Sequence, residues 1–212
     1  MIDECWRPGP EVVRAKLDKI IDDKVKKVLD NTENTREIMT TFSNDHHLVY
    51  RLFYPQERIN EIEIAHNQAR IMSANAGQMF DEIVKFILMA TIPGKSTIVE
   101  NEGGHPKSFE IDHLDETNKI GYEVKWRDAG TDGDHKNKEF RKVDMMNYMG
   151  IKPIRLTFFM PELEKPRKAQ AKIIQYYQQH GEAHTGDKAF NFLKEKTGID
   201  LKQVLLAKTK KM

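Results

Sequence analysis

Residues 120–127, IGYEVKWR, constrain the fold of this chain more than any other stretch. Tyr122, Val124 and Trp126 alternate with Glu123, Lys125 and Arg127, which is the period of a half-buried strand. Three charges on one strand face are costly unless something pairs with them. A partner strand lies just upstream. In KSFEIDHL (107–114), Phe109 and Ile111 alternate with Glu110 and Asp112. With the turn centred on Glu116 and Thr117, position 112 pairs with 121 and 110 with 123. Glu110, Asp112, Glu123 and Lys125 then share one face. Carboxylates so close repel and need a cation, and oxygen-only ligands favour a hard ion, Mg²⁺ or Mn²⁺.

The rest of the chain frames this hairpin. Val13, Leu17, Ile20, Ile21, Val25 and Val28 fall at helical spacing over 10–30, with Pro10 in a tolerated first-turn position. DNTENT (30–35) reads as a break, followed by a weakly patterned helical stretch over 36–56. A further helix covers 57–91, with a break expected in its first third and an apolar face from Ala76 to Ile87. Pro93 and Gly94 end it. STIVE (96–100) is a strand before the hairpin. Residues 136–149 return to helical spacing and stop at Gly150, and PIRLTFFM (153–160) is a fourth strand. Helices then cover 162–180 and 186–198, with a short piece from Asp200; Asp187 and Asp200 read as N-caps and Gly198 as a C-cap. This order predicts an α/β fold with a mixed sheet of about four or five strands flanked by helices. Residues 1–66 form a helical N-terminal segment, a dimer or clamp surface, and 67–212 the core with C-terminal helices.

Composition narrows the class. Of 212 residues, 39% are hydrophobic and 32% charged, which suits a wetted domain with a real core. No apolar run approaches the roughly 20 residues that cross a bilayer, and the N-terminus lacks signal-peptide regions. Cys5 is the single cysteine, which excludes an internal disulfide and a thiolate zinc site. A cytoplasmic protein is expected. Lys plus Arg is 34 and Asp plus Glu 33, so a polyanionic partner would have to be met by spatially segregated charge. PGKST (93–97) imitates the end of a phosphate loop, but Met89 stands where a glycine is required, so no nucleotide cofactor is expected.

A hard divalent ion beside a lysine suits phosphodiester cleavage. Asp112 and Glu123 would hold the metal, and Lys125 would orient or help deprotonate a water and offset developing charge. The same residues would also suit a cross-strand salt-bridge ladder on a solvated face. In the loop RDAGTDGDH (127–135), an aspartate can accept from cytosine N4 and Arg127 can fork onto guanine. Lys136, Lys138, Arg141 and Lys142 on the next helix would hold phosphates.

The element order resembles the core of the PD-(D/E)xK nucleases, with the acid on the second strand and ExK on the third. More closely, YEVKWRDAGTDGDHKNKE, KPIRLTFFMP and GDKAFNFLKEKTGIDL resemble the ApaLI-like type II restriction endonucleases over about 107–205. That resemblance implies a restriction-endonuclease-like core and Mg²⁺-dependent cleavage of double-stranded DNA at a short palindrome, with Mn²⁺ able to substitute. It also implies 5′-phosphate ends and a homodimer. Asp112, Glu123 and Lys125 are the implied catalytic set, with Glu82 chosen over Asp81 as the helix acid. Arg127, Asp128, Thr131, Asp132, Asp134, His135, Lys136 and Lys138 are the implied DNA contacts. The family's Pro-Asp is Ile111-Asp112 here, which leaves Glu110 as an alternative ligand. The rival readings are a structure-specific repair nuclease on the same core and an inert DNA-binding module.

Overall fold

The computed structural model describes residues 8–39, 47–101, 104, 106–127 and 133–209. The elements in order are α1 (Pro10–Met39), α2 (His47–Tyr50), α3 (Gln56–Thr91), β1 (Lys95–Glu100), β2 (Ser108–Asp115), β3 (Ile120–Arg127), α4 (Gly133–Tyr148), β4 (Lys152–Phe159), α5 (Glu164–His180), β5 (Glu182–Thr185), α6 (Asp187–Thr197) and α7 (Leu201–Lys208). The strands form one five-stranded sheet in sequence order, β1 to β5. β1–β2 and β2–β3 are antiparallel; β3–β4 and β4–β5 are parallel. The fold is therefore α/β with a mixed sheet, as the element order predicts. Two compact units emerge: residues up to 18 with 81 onward, and Lys19–Phe80.

The helices correct the sequence reading in two places. α1 runs through the expected break at 30–35. The stretch contains no Gly or Pro, and the Thr32 hydroxyl donates back to the Val28 carbonyl at 2.8 Å, so its side chain is satisfied inside the helix. α3 is likewise unbroken, with Asn67 and Asn75 bonded to the carbonyls of Glu63 and Ile71 one turn back. At its end Gly94 has φ 138°, and a Cβ there would stand 2.0 Å from the Leu114 carbonyl oxygen, so the turn into β1 requires glycine. At the C-terminus, Gly198 caps α6 in the left-handed conformation and Asp200 accepts from the Gln203 amide. Asp187 instead opens α6 behind an N-cap glycine, Gly186, and makes no side-chain cap bond.

α4 and α5 cover one face of the sheet, where Val143, Met146, Ile173 and Tyr177 pack with Ile111 and Leu114 in one core cluster. On the other face α6 brings Phe190 edge-on to Phe158 of β4, with ring centroids 4.9 Å apart. The fifth strand, EAHT, pairs parallel with β4 from Ile154↔Glu182 to Thr157↔Thr185. Sequence reading passes over it because four residues with one apolar side chain carry no strand period.

Under α4 and α5 lies a buried ionic group. Arg155 of β4 is fully buried. It meets Glu139 of α4 at 2.6 Å and Gln170 of α5 at 3.3 Å, and its guanidinium lies 5.4 Å from the Tyr177 ring. A buried charge whose partner is deleted costs about 3–5 kcal/mol. Arg155→Leu should therefore lose about that much in a denaturant titration. A variant within about 0.5 kcal/mol of the parent would show that the pair does not fasten α4 to the sheet.

Candidate active site

The hairpin that carries the site closes two residues later than the sequence suggests. The register is Asp115↔Ile120, Leu114↔Gly121 and His113↔Tyr122, not 112↔121. Asp115 sets it: Oδ1 accepts from the Thr117 and Asn118 amides at 3.1 and 3.0 Å, and Lys119 closes the turn at φ 54°. Such an Asx turn lengthens the loop by its own geometry.

A β-bulge then decides where Asp112 points. β1 pairs Lys95 with Leu114 and Thr97 with Ile111, two steps on one strand against three on the other. The extra residue lies in β2 at Asp112–His113, and bulges re-aim side chains. Ile111 and Leu114 consequently share the helix-covered core. The expected common face for Glu110, Asp112, Glu123 and Lys125 is thus corrected, because Asp112 turns sideways into β3. The Val124 amide donates to its Oδ2 at 2.8 Å, so a side chain continues the ladder where the strands part.

Seven charged groups assemble there. Lys85 of α3 meets Asp112 Oδ1 at 2.6 Å and Glu110 Oε1 at 3.1 Å. Glu123, with a side chain only 2% exposed, receives Lys125 on Oε1 at 2.8 Å and Lys142 of α4 on Oε2 at 2.5 Å. Glu110 itself is exposed and also accepts from the Ser96 hydroxyl at 2.9 Å. Asp81 of α3 accepts from the Trp126 amide at 3.1 Å. Sequence reading names both helix acids; Asp81 is the one seen bonded to β3, and Glu82 is its half-buried neighbour.

The electrostatics separate these groups. Burial alone would push Glu123 up, but Lys125 and Lys142 outweigh it and hold the carboxyl well below the usual range. In return Glu123 holds the Lys125 ammonium well above the ordinary lysine value, against the effect of burial. Asp112 is pushed up by burial and then by the charge of Glu123. Burial would lower Lys85, but its bonds to Asp112 and Glu110 raise it. Asp81 is pushed up to about 6, chiefly by burial, with Lys125 pulling down and Asp112 pushing further up.

The predicted DNA contacts are placed as follows. Arg127 ends β3, exposed, its guanidinium 5.4 Å from the Trp126 ring. Trp126 is half-buried, edge-on to Phe159, rather than core. Lys136 lies over the Phe140 ring at 5.8 Å, Lys138 is half-buried and Arg141 exposed on α4. Lys142, expected on phosphate, is instead bound to Glu123. Asp128, Thr131 and Asp132 lie outside the described residues, as do the side chains of Asp134 and His135.

Lys85 and the Glu139–Arg155 pair are the residues that sequence reading missed as site components, and Lys142, read as a phosphate contact, joins the acid cluster instead. Helical spacing held the signal: Asp81 and Lys85 are one turn apart, as are Glu139 and Lys142, so each pair faces the sheet together. Among the described residues no group of three or more His, Cys, Asp or Glu side chains converges as a ready metal set. Asp112 and Glu123 offer carboxylate oxygens alone, each already met by an ammonium, and such donors match a hard divalent ion.

An α/β core with paired acids and a lysine where two strands part suits hydrolytic chemistry on a charged substrate. The ApaLI-like restriction endonuclease family model matches residues 9–210. The chain therefore belongs to the ApaLI-like restriction endonuclease family, and is a restriction nuclease, a hydrolase whose substrate is DNA. Comparisons with curated proteins and with solved structures gave no match. Among the described residues no helix is long and apolar enough to cross a membrane.

The raised Asp81 value has a stability consequence. Its folded pKa, about 6, lies above the ordinary 3.8, so the ionised group opposes folding fully above about pH 6, and the penalty disappears as pH falls through 4. In metal-free protein, Asp81→Asn should match the parent at pH 3.5 and exceed it by about 1–2 kcal/mol at pH 8, allowing for partial exposure. A gain of the same size at both pH values would mean that ionisation is not its source.

Proposed function

We propose that this protein is a type II restriction endonuclease that hydrolyses double-stranded DNA at a specific sequence, with Mg²⁺ and with Mn²⁺ as a substitute, leaving 5′-phosphate ends. The observation that carries the reading is the Glu123–Lys125 ion pair beside Asp112, whose carboxylate accepts from the Val124 amide between them, in a chain of this family. Asp112 and Glu123 would hold the ion. When bound, such an ion polarises a non-bridging phosphate oxygen and acidifies a water.

The remaining work falls to the chain. Glu123 is kept ionised by its two lysines, so it offers charge without a proton to lose. Lys125 stays an ammonium beside Glu123, which makes it a donor that orients the attacking water and offsets developing charge, not the base that removes its proton. Asp81, titrating near 6 and coupled to both Lys125 and Asp112, fills the place of the helix acid, with Glu82 beside it as the other candidate. Arg127 and the loop through Asp128, Thr131, Asp132, Asp134 and His135 would read base edges, while Lys136 and Lys138 on α4 would hold phosphates.

A homodimer suits a palindromic site, because two-fold protein symmetry mirrors two-fold site symmetry. The exposed apolar side chains of the N-terminal unit, Leu52 at 80% and Phe53 at 71%, support a role for that segment in dimer contact.

Digestion of a DNA of known sequence in Mg²⁺, followed by sequencing of the ends, tests the reading. Discrete fragments with 5′-phosphates are expected. Lys125→Ala should slow cutting by at least about a hundredfold while leaving duplex binding nearly intact. Smeared or structure-dependent cutting would favour a repair nuclease, and tight binding with no nicking in either ion would favour an inert binding module.

A further inference from the structure

Every carboxylate oxygen of the metal pair is already occupied. Asp112 Oδ1 holds Lys85 and Oδ2 the Val124 amide; Glu123 Oε1 holds Lys125 and Oε2 holds Lys142. With its side chain 2% exposed, Glu123 has little open space beside its two ammonium donors, so a cation arriving there competes with them for the carboxylate. The donors differ in how they are held. Lys125 lies two residues away on the same strand, and Lys85 is bridged between Asp112 and Glu110. Lys142 comes from α4 and bonds Glu123 at one point, with a side chain 12% exposed. α4 itself is fixed one turn earlier by Glu139 on Arg155, so Lys142 can swing without moving its helix.

We propose that Lys142 is an internal counter-ion that stands in for the divalent cation on Glu123 Oε2 and is displaced when the cation binds. The proposal rests on the metal-binding reading of the site. Until metal arrives, Lys142 offsets the buried negative charge beside Lys125. Displacement sets Lys142 against the metal for one oxygen, so its presence weakens metal binding. Once freed, the ammonium remains on the helix that also carries Lys138 and Arg141, where a phosphate could take it.

Mn²⁺ binding to DNA-free protein, counted by electron paramagnetic resonance, reads this directly. Lys142→Met should bind Mn²⁺ at least about tenfold more tightly than the parent, equivalent to about 1.4 kcal/mol. Lys136→Met removes the same charge from the same helix, but its ammonium sits over Phe140; it should change affinity less than about threefold. Unchanged or weaker binding by Lys142→Met overturns the displacement, as does equal tightening in both variants. No binding by any of the three proteins overturns the metal reading as well. A second measurement needs no folded Lys142→Met. In unaltered protein, the Lys142 methylene resonance next to Nζ, assigned by its loss in Lys142→Arg, should shift as Mg²⁺ is added. A resonance that stays in place through saturation overturns the proposal.

Discussion

One buried negative charge organises this site. Glu123 sits in the third strand of a five-stranded sheet, almost without solvent, and an unpaired carboxylate there would protonate or disrupt the fold. Lys125 and Lys142 prevent both outcomes. The arrangement is asymmetric by construction, since Lys125 shares the strand while Lys142 must be delivered by a helix. The same helix is tied to the sheet one turn earlier by Glu139 on Arg155. In the parallel register Arg155 lies directly opposite Glu123. The two ion pairs are thus neighbours on one sheet face, one sealed under α4 and α5 and the other closed by Lys142 of α4.

The second acid is placed by backbone geometry instead of by charge. The Asp112–His113 bulge ends the β2–β3 ladder and turns the Asp112 carboxylate onto the Val124 amide. Its neighbours give it the opposite electrostatic character, with Asp112 pushed up and Glu123 held down. Two carboxylates whose environments drive their pKa values apart form a set of unlike partners. A bound cation would favour ionised Asp112 and relieve the cost of its burial.

The strands β1 to β4, the mixed character of the sheet and the acid–lysine strand are legible because period-two alternation survives translation into structure whatever the register. The register is not. The turn was set by a side chain, Asp115, and the bulge by strand pairing on the far side of β2, and neither leaves a pattern in the β2–β3 sequence. The run DNTENT reads as a break because Asn and Thr favour turns, whereas Thr32 bonds within its own helix, as Asn67 and Asn75 do in α3. β5 was too short and polar to show. Lys85 escapes notice, and Lys142 reads as a phosphate contact, because a lysine on an amphipathic helix reads as wetted surface until a buried acid is placed beneath it.

Anomalous diffraction from crystals of the protein grown or soaked with Mn²⁺ tests the central claim most directly. The account predicts a manganese peak within coordination distance of an oxygen of Asp112 and an oxygen of Glu123. A fully soaked crystal with no manganese at these oxygens and Lys142 still on Glu123, or with manganese bound elsewhere, would contradict it.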